Sequence, residues 1–174
     1  MPILLIAVVA LAALAFFISR RPDDFKVTRK AAIAAPQAEV FAQVNDFHKW
    51  DAWSPWAKLD PNAKNTFSGA EAGKGAGFAW AGNNKVGVGS MTITDSRPNE
   101  QILIRLEFTK PFKAVNTTEF TFTPEGGKTV VTWTMSGRNN FAAKAMSLVM
   151  DCEKMVGPQF EKGLSQMAAV VEKK

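Results

Sequence analysis

The chain has 174 residues, 47% of them hydrophobic and 21% charged, and a net charge of +5. That length allows one domain with a real core plus an appendage, and the mixed composition excludes wholesale disorder. A single cysteine, Cys152, excludes an intrachain disulfide and a multi-cysteine metal site, and a single histidine, His48, excludes a histidine cluster for zinc or iron, so no metal or cofactor is expected. The basic residues bunch near the start, at Arg20, Arg21, Lys26, Arg29 and Lys30 against Asp23 and Asp24. The remainder is only slightly basic and lacks the basic face that a nucleic-acid partner requires.

Pro2 to Ile18 contains no charged or strongly polar side chain. At 1.5 Å per residue such a run reaches about 26 Å, the short end of what spans a bilayer. Residues 1–19 are therefore expected to form a transmembrane anchor, with 2–18 in contact with the membrane. Residues 20–25 form a basic juxtamembrane linker, and 26–174 form the domain. Arg20 and Arg21 follow the apolar run, which by the positive-inside rule leaves the domain of a single-pass protein on the cytoplasmic side. The alternative is an exported protein whose signal peptide is cleaved at Ala13-Leu14-Ala15. Nothing basic precedes the apolar run, as an n-region would.

Phe25, Val27 and Arg29 alternate with Lys26, Thr28 and Lys30 in a first strand that runs on to Ala34. Pro36 then opens a short helix whose apolar stripe is Val40, Phe41 and Val44. A tryptophan-dense loop follows, Phe47-His48-Lys49-Trp50-Asp51-Ala52-Trp53-Ser54-Pro55-Trp56. From Lys64 the pattern is a meander with strands at 64–69, 75–81, 86–95, 101–109, 115–124 and 129–137. Turn signals at Gly82-Asn83-Asn84, Arg97-Pro98-Asn99, Lys110-Pro111 and Glu125-Gly126-Gly127 separate them, so neighbours pair antiparallel. Phe78, Trp80, Met91, Ile93, Ile104, Leu106, Phe108, Phe120, Phe122, Val131, Trp133 and Met135 share the apolar phase. Ser90, Thr92, Thr94, Thr117, Glu119, Thr121, Thr132 and Thr134 share the polar one. Gly73-Lys74-Gly75-Ala76-Gly77 leads into a strand and lacks Walker spacing, which makes it a hairpin rather than a phosphate loop.

The last stretch, Asn140 to Lys174, repeats apolar residues at helical spacing through Phe141, Ala145, Val149, Cys152, Val156, Phe160, Gly163, Met167 and Val170. Met146, Met150 and Met155 widen the apolar arc to about half the circumference, which calls for a concave partner. One long helix is expected here, bent at Gly157-Pro158 because Pro158 has no N–H to offer the carbonyl of Lys154.

This order of elements resembles the helix-grip fold of the START/Bet v 1-like (SRPBCC) superfamily, in its polyketide cyclase/dehydrase and lipid-transport type. The residues that carry the likeness are Ile33-Ala34-Ala35-Pro36 with Glu39-Val40-Phe41, Phe47-His48-Lys49-Trp50 with Trp53-Ser54-Pro55-Trp56, Asn116-Thr117-Thr118-Glu119-Phe120 with Thr129-Val130-Val131-Thr132-Trp133, and the terminal helix. The resemblance implies an α+β fold in which a curved antiparallel seven-stranded sheet wraps a long C-terminal helix, here preceded by the transmembrane helix. It also implies an apolar small molecule or lipid held between sheet and helix. The family includes carriers, cyclases, regulators and chaperone activators, so a cyclase/dehydratase-type enzyme and a chaperone-co-activator-like interaction domain stand beside the binding module; no protein partner is specified. The cavity candidates are Trp53, Phe78, Trp80, Phe108, Phe120, Trp133 and Met135 from sheet and loop, with Met146, Val149, Met150 and Glu153 from the helix. No catalytic set of serine, histidine and carboxylate can be assembled.

Overall fold

Because each connection between Lys64 and Arg138 is short, every strand pairs with the next. The computed structural model describes residues 2–148 and 151–172. Its sheet has seven antiparallel strands in the order β1-β7-β6-β5-β4-β3-β2. These are β1 (Asp24–Ile33), β2 (Lys64–Gly69), β3 (Ala76–Ala81), β4 (Val88–Arg97), β5 (Gln101–Lys110), β6 (Ala114–Glu125) and β7 (Lys128–Arg138). The meander expected from turn residues and alternation is therefore present, with ends shifted by a residue or two. β1 closes the far edge against β7, with Val27 opposite Met135 and Arg29 opposite Trp133. Register shifts in β4 at Val88/Gly89 and Ile93/Asp95 bend the sheet, as bulges do.

Two short helices fill the crossover from β1 to β2. In α2 (Gln37–Asn45), Val40, Phe41 and Val44 face the core. Asp46 then caps a 3₁₀ turn, its side chain accepting from the His48 N–H, and α3 (Trp50–Trp53) follows. Pro55 lies just beyond, where a further turn of helix would need its N–H.

The C-terminal stretch is two helices, not the single one expected. α4 (Phe141–Met146) is capped by Asn140, and α5 (Cys152–Val171) begins after Asp151. Asp151 is extended, and its carboxylate accepts from the N–H groups of Glu153 and Lys154. A residue that caps a new helix cannot also propagate the previous one. Helical periodicity persists across the interruption, which is why the sequence hides it. α5 continues through Pro158 and packs along β1 and against α2 and α3.

The N-terminal apolar run is helical over Pro2–Ser19 (α1), but the expected span is not met. Among the described residues no helix is long and apolar enough to cross a membrane. Its apolar run, Pro2 to Ile18, covers about 26 Å against a hydrocarbon core of about 30 Å. Leu4, Leu5, Ile6 and Phe16 are each at least two-thirds exposed. Among the described residues of α1, only its end is buried against the domain. Ile18 is buried, the ammonium of Lys144 donates to the Ser19 carbonyl (3.2 Å), and the Arg21 guanidinium donates to the Ser147 carbonyl (2.9 Å).

Candidate ligand groove on the concave face

Cross-strand register sorts the concave face of the sheet into rows. Ile102, Phe120, Trp133 and Arg29 form one row, and Ile93, Ile104, Thr118, Met135 and Val27 form the next. Phe67, Phe78, Met91, Leu106, Asn116, Gly137 and Phe25 form a third, and Trp80, Gly89 and Phe108 a fourth.

The first two rows belong to a closed core. Trp133 stacks on Phe160 of α5 with centroids 4.0 Å apart and planes 9° apart. Phe120 lies 4.8 Å from Trp133, and Trp50, Trp53 and Trp56 meet the same indole edge to face. The Trp50 and Trp53 N–H groups are satisfied by the carbonyls of Val44 and Gln43. The Trp133 N–H is buried and has no acceptor among the described residues. Of the cavity candidates, Trp53, Phe120 and Trp133 are thus brought together, and with Met135 they are buried.

The third and fourth rows are different. Phe78, Trp80, Met91 and Phe108 are only partly buried, although they adjoin the core. Their rings touch in sequence. Phe67 meets Phe78 at 5.3 Å, Phe78 stacks on Trp80 at 6.0 Å, and Trp80 meets Phe108 edge to face at 5.7 Å. Trp80 lies over Gly89, where a Cβ would come within 2.6 Å of the indole, and its N–H donates to the Val86 carbonyl (2.9 Å). The result is an aromatic groove beside the core rather than the expected space between sheet and helix. α5 leaves it uncovered because it packs along β1, at the opposite edge of the sheet.

The helix-side candidates scatter. Met146 is partly buried at the end of α4, and Val149 and Met150 lie outside the described residues. Glu153 faces Arg29, which reaches it at 2.5 Å and also reaches Glu161, two turns further along α5, at 2.5 Å. The guanidinium crosses α5 at Gly157, where a side chain would displace it. The two carboxylates hold the Arg29 pKa above its ordinary value, Glu153 contributing most. Arg29 thus joins β1 to α5 and leaves Glu153 engaged. His48 lies at the rim, stacked 4.1 Å from Phe67, with Nδ1 2.9 Å from Asp46.

Two side chains on the groove face were legible but passed over. Asn116 and Thr118 fall on the apolar phase of β6, two and four positions before Phe120. They are 8% and 4% exposed. A recess of about 670 Å³ is lined by Phe25, Arg105, Asn116, Thr117, Gly137 and Arg138 among others. Arg105 there pairs with Glu107 at 2.9 Å, which raises its pKa.

A curved antiparallel sheet carrying an apolar groove and closed on one side by a C-terminal helix defines a helix-grip protein of α+β class. The model of the polyketide cyclase / dehydrase and lipid transport family matches residues 24–172, and the chain belongs to that family. Solved structures share the fold. Protein MLL2253 from Mesorhizobium loti has a TM-score of 0.64 at 16% identity, covering 86% of this chain and 98% of that one. The Aha1 dimer from Colwellia psychrerythraea has a TM-score of 0.62 at 14% identity, covering 86% and 97%. DynU16, from the dynemicin biosynthetic locus, has a TM-score of 0.58 at 18% identity, covering 87% of this chain and 48% of that one. No curated protein matches the chain.

Proposed function

We propose that the protein is a binding module for an apolar small molecule or lipid, held on the aromatic groove of β3, β4 and β5. One observation carries this reading. Four large apolar side chains, Phe78, Trp80, Met91 and Phe108, stay partly exposed side by side next to a core with no such exposure. An uncovered apolar surface of this kind needs a ligand or partner. Family membership supports an apolar ligand.

The apolar helix α1 supports a membrane-tethered form of this function. A helix that is apolar all round seats in hydrocarbon or in a protein core, and the domain covers only its end. Arg20 and Arg21 follow it and suit the anionic headgroups of a cytoplasmic leaflet, on which the helix would lie without crossing. Titration of the full chain with N-phenyl-1-naphthylamine, an uncharged apolar fluorophore, tests the binding reading. Binding at about micromolar affinity, roughly −8 kcal/mol, is expected. A fluorophore that stays dark with wild type and with Trp80→Ala alike would remove the carrier function. A reporter active only in the cytoplasm, fused after Lys174, should be active and should sediment with membranes.

A further inference from the structure

In an antiparallel sheet, alternate connections lie at the same end. One end here carries the β3–β4 connection (residues 82–87) and the β5–β6 connection (residues 111–113). The junctions of β1 with α1 and of β7 with α4 lie at that end too. Gly87 brings the two connections together, since a Cβ there would lie 2.5 Å from the Lys110 carbonyl. The rim so formed is basic and tipped by an aromatic ring. Phe112 is 59% exposed between Lys110 and Lys113. Lys85 stands in the neighbouring connection and Lys64 at the start of β2, and all four lysines are exposed. Among the described residues none of the four enters an ion pair. Nearby carboxylates are engaged by other groups, Asp23 by Lys144, Asp24 by Arg138 and Glu107 by Arg105. Asp60 accepts from the N–H groups of Asn62 and Asn83, which leaves the four lysines in excess of it.

Solvated lysines alone are ordinary surface. A phenyl ring held out between two of them is not, because it gains only where apolar material receives it. An anionic bilayer offers both partners at once, phosphates for the ammonium groups and acyl chains for the ring. The same end of the sheet is the one from which α1 leaves, and Phe141, 55% exposed, opens α4 beside it. The outermost row of the groove, Trp80, Gly89 and Phe108, sits one residue in from this rim. Going beyond the tether and resting on the binding reading above, we propose that the rim is a second membrane contact. Phe112 enters an anionic leaflet, Lys64, Lys85, Lys110 and Lys113 meet its headgroups, and the mouth of the groove is held at the bilayer surface. An apolar ligand then passes between leaflet and groove with little exposure to water. Each lysine engaged at such a surface strengthens attachment about fivefold.

The test is hydrogen exchange of the full chain on phosphatidylcholine vesicles with and without phosphatidylglycerol, alongside sedimentation of the vesicles. Amides of residues 83–87 and 112–115 should exchange at least about fivefold more slowly when phosphatidylglycerol is present, the effect of one engaged lysine. The turns at the opposite end of the sheet, residues 97–101 and 125–128, should not change. Salt at about 1 M, which shortens screening to about 3 Å, should abolish the difference. Lys110→Gln with Lys113→Gln should lose it, as should Phe112→Ser, while both variants still bind N-phenyl-1-naphthylamine. Lys110→Arg with Lys113→Arg should keep it. Sedimentation with both kinds of vesicle but equal exchange in the two connections overturns the rim contact and leaves the readings of α1 and the groove standing. Equal slowing at both ends of the sheet overturns it as well. A chain that sediments with neither vesicle removes the tether and this contact together, and the fluorophore titration then decides the groove by itself.

Discussion

A Cβ at Gly163 would lie 2.8 Å from Cζ3 of Trp133 and 3.1 Å from the Pro55 ring. Alanine in a helix interior gains about 1 kcal/mol over glycine, and overpacking a core costs about 1–3 kcal/mol. Here the second effect wins, because Phe160 pins the indole and a proline ring cannot turn aside. Gly163→Ala should therefore lower the melting temperature. Gly157→Ala meets only the end of the Arg29 side chain, which can swing away, and should leave the melt near its wild-type position. Cys152 shows a similar contest. It opens α5, where a helix N-terminus ordinarily favours the thiolate. Burial outweighs this and pushes its pKa up, with the Asp151 and Glu153 carboxylates adding to the shift. Iodoacetamide at pH 8 should accordingly label the folded protein more slowly than the urea-unfolded chain, as mass spectrometry would show. Equal rates would contradict the raised pKa of this half-buried thiol.

Among the elements, the junction of α1 with α4 depends on one buried cation. Lys144 is buried, ion-pairs with Asp23 and donates to the Ser19 carbonyl. Removing one partner of such a pair is harmful, whereas an apolar replacement of the buried group is often tolerated. Asp23→Asn should speed hydrogen exchange at the α4 amides, and Lys144→Met should not. The Lys144 hydrogen bond, and then its charge, hold the Asp23 carboxyl below its ordinary value of 3.8. A depressed carboxylate stabilises fully above its unfolded value, and that contribution disappears as pH falls through the folded one. Protection of α4 should therefore be flat above about pH 5 and drop below 3.8 in wild type, with no such step in Asp23→Asn.

For the whole molecule, the division between core and groove sets what aromatic deletions do. Phe160→Ala removes the ring stacked on Trp133 and should cost about 3–5 kcal/mol in urea unfolding. Phe108→Ala removes a partly exposed ring at the groove and should weaken the fluorophore far more than it moves the unfolding midpoint. If Phe108→Ala lost stability like Phe160→Ala while binding was unchanged, the groove would be ordinary core. The residues alone determined the seven strands, their antiparallel pairing and the apolar phase of Phe78, Trp80, Phe120 and Trp133, because alternation and turn chemistry are written in near neighbours. They also placed Asn116 and Thr118 on that phase. The interruption before Asp151 was not legible, since Val149, Cys152 and Val156 keep helical spacing across it. Nor could the sequence separate Trp133 from Trp80, which share a phase and a chemistry. One is core and the other groove because α5 lies along β1 at the far edge of the sheet, and that placement depends on contacts such as Arg29 with Glu153 and Glu161, more than 120 residues apart in the chain. Burial of an inward-facing residue follows from what packs over it, and only the tertiary structure decides that.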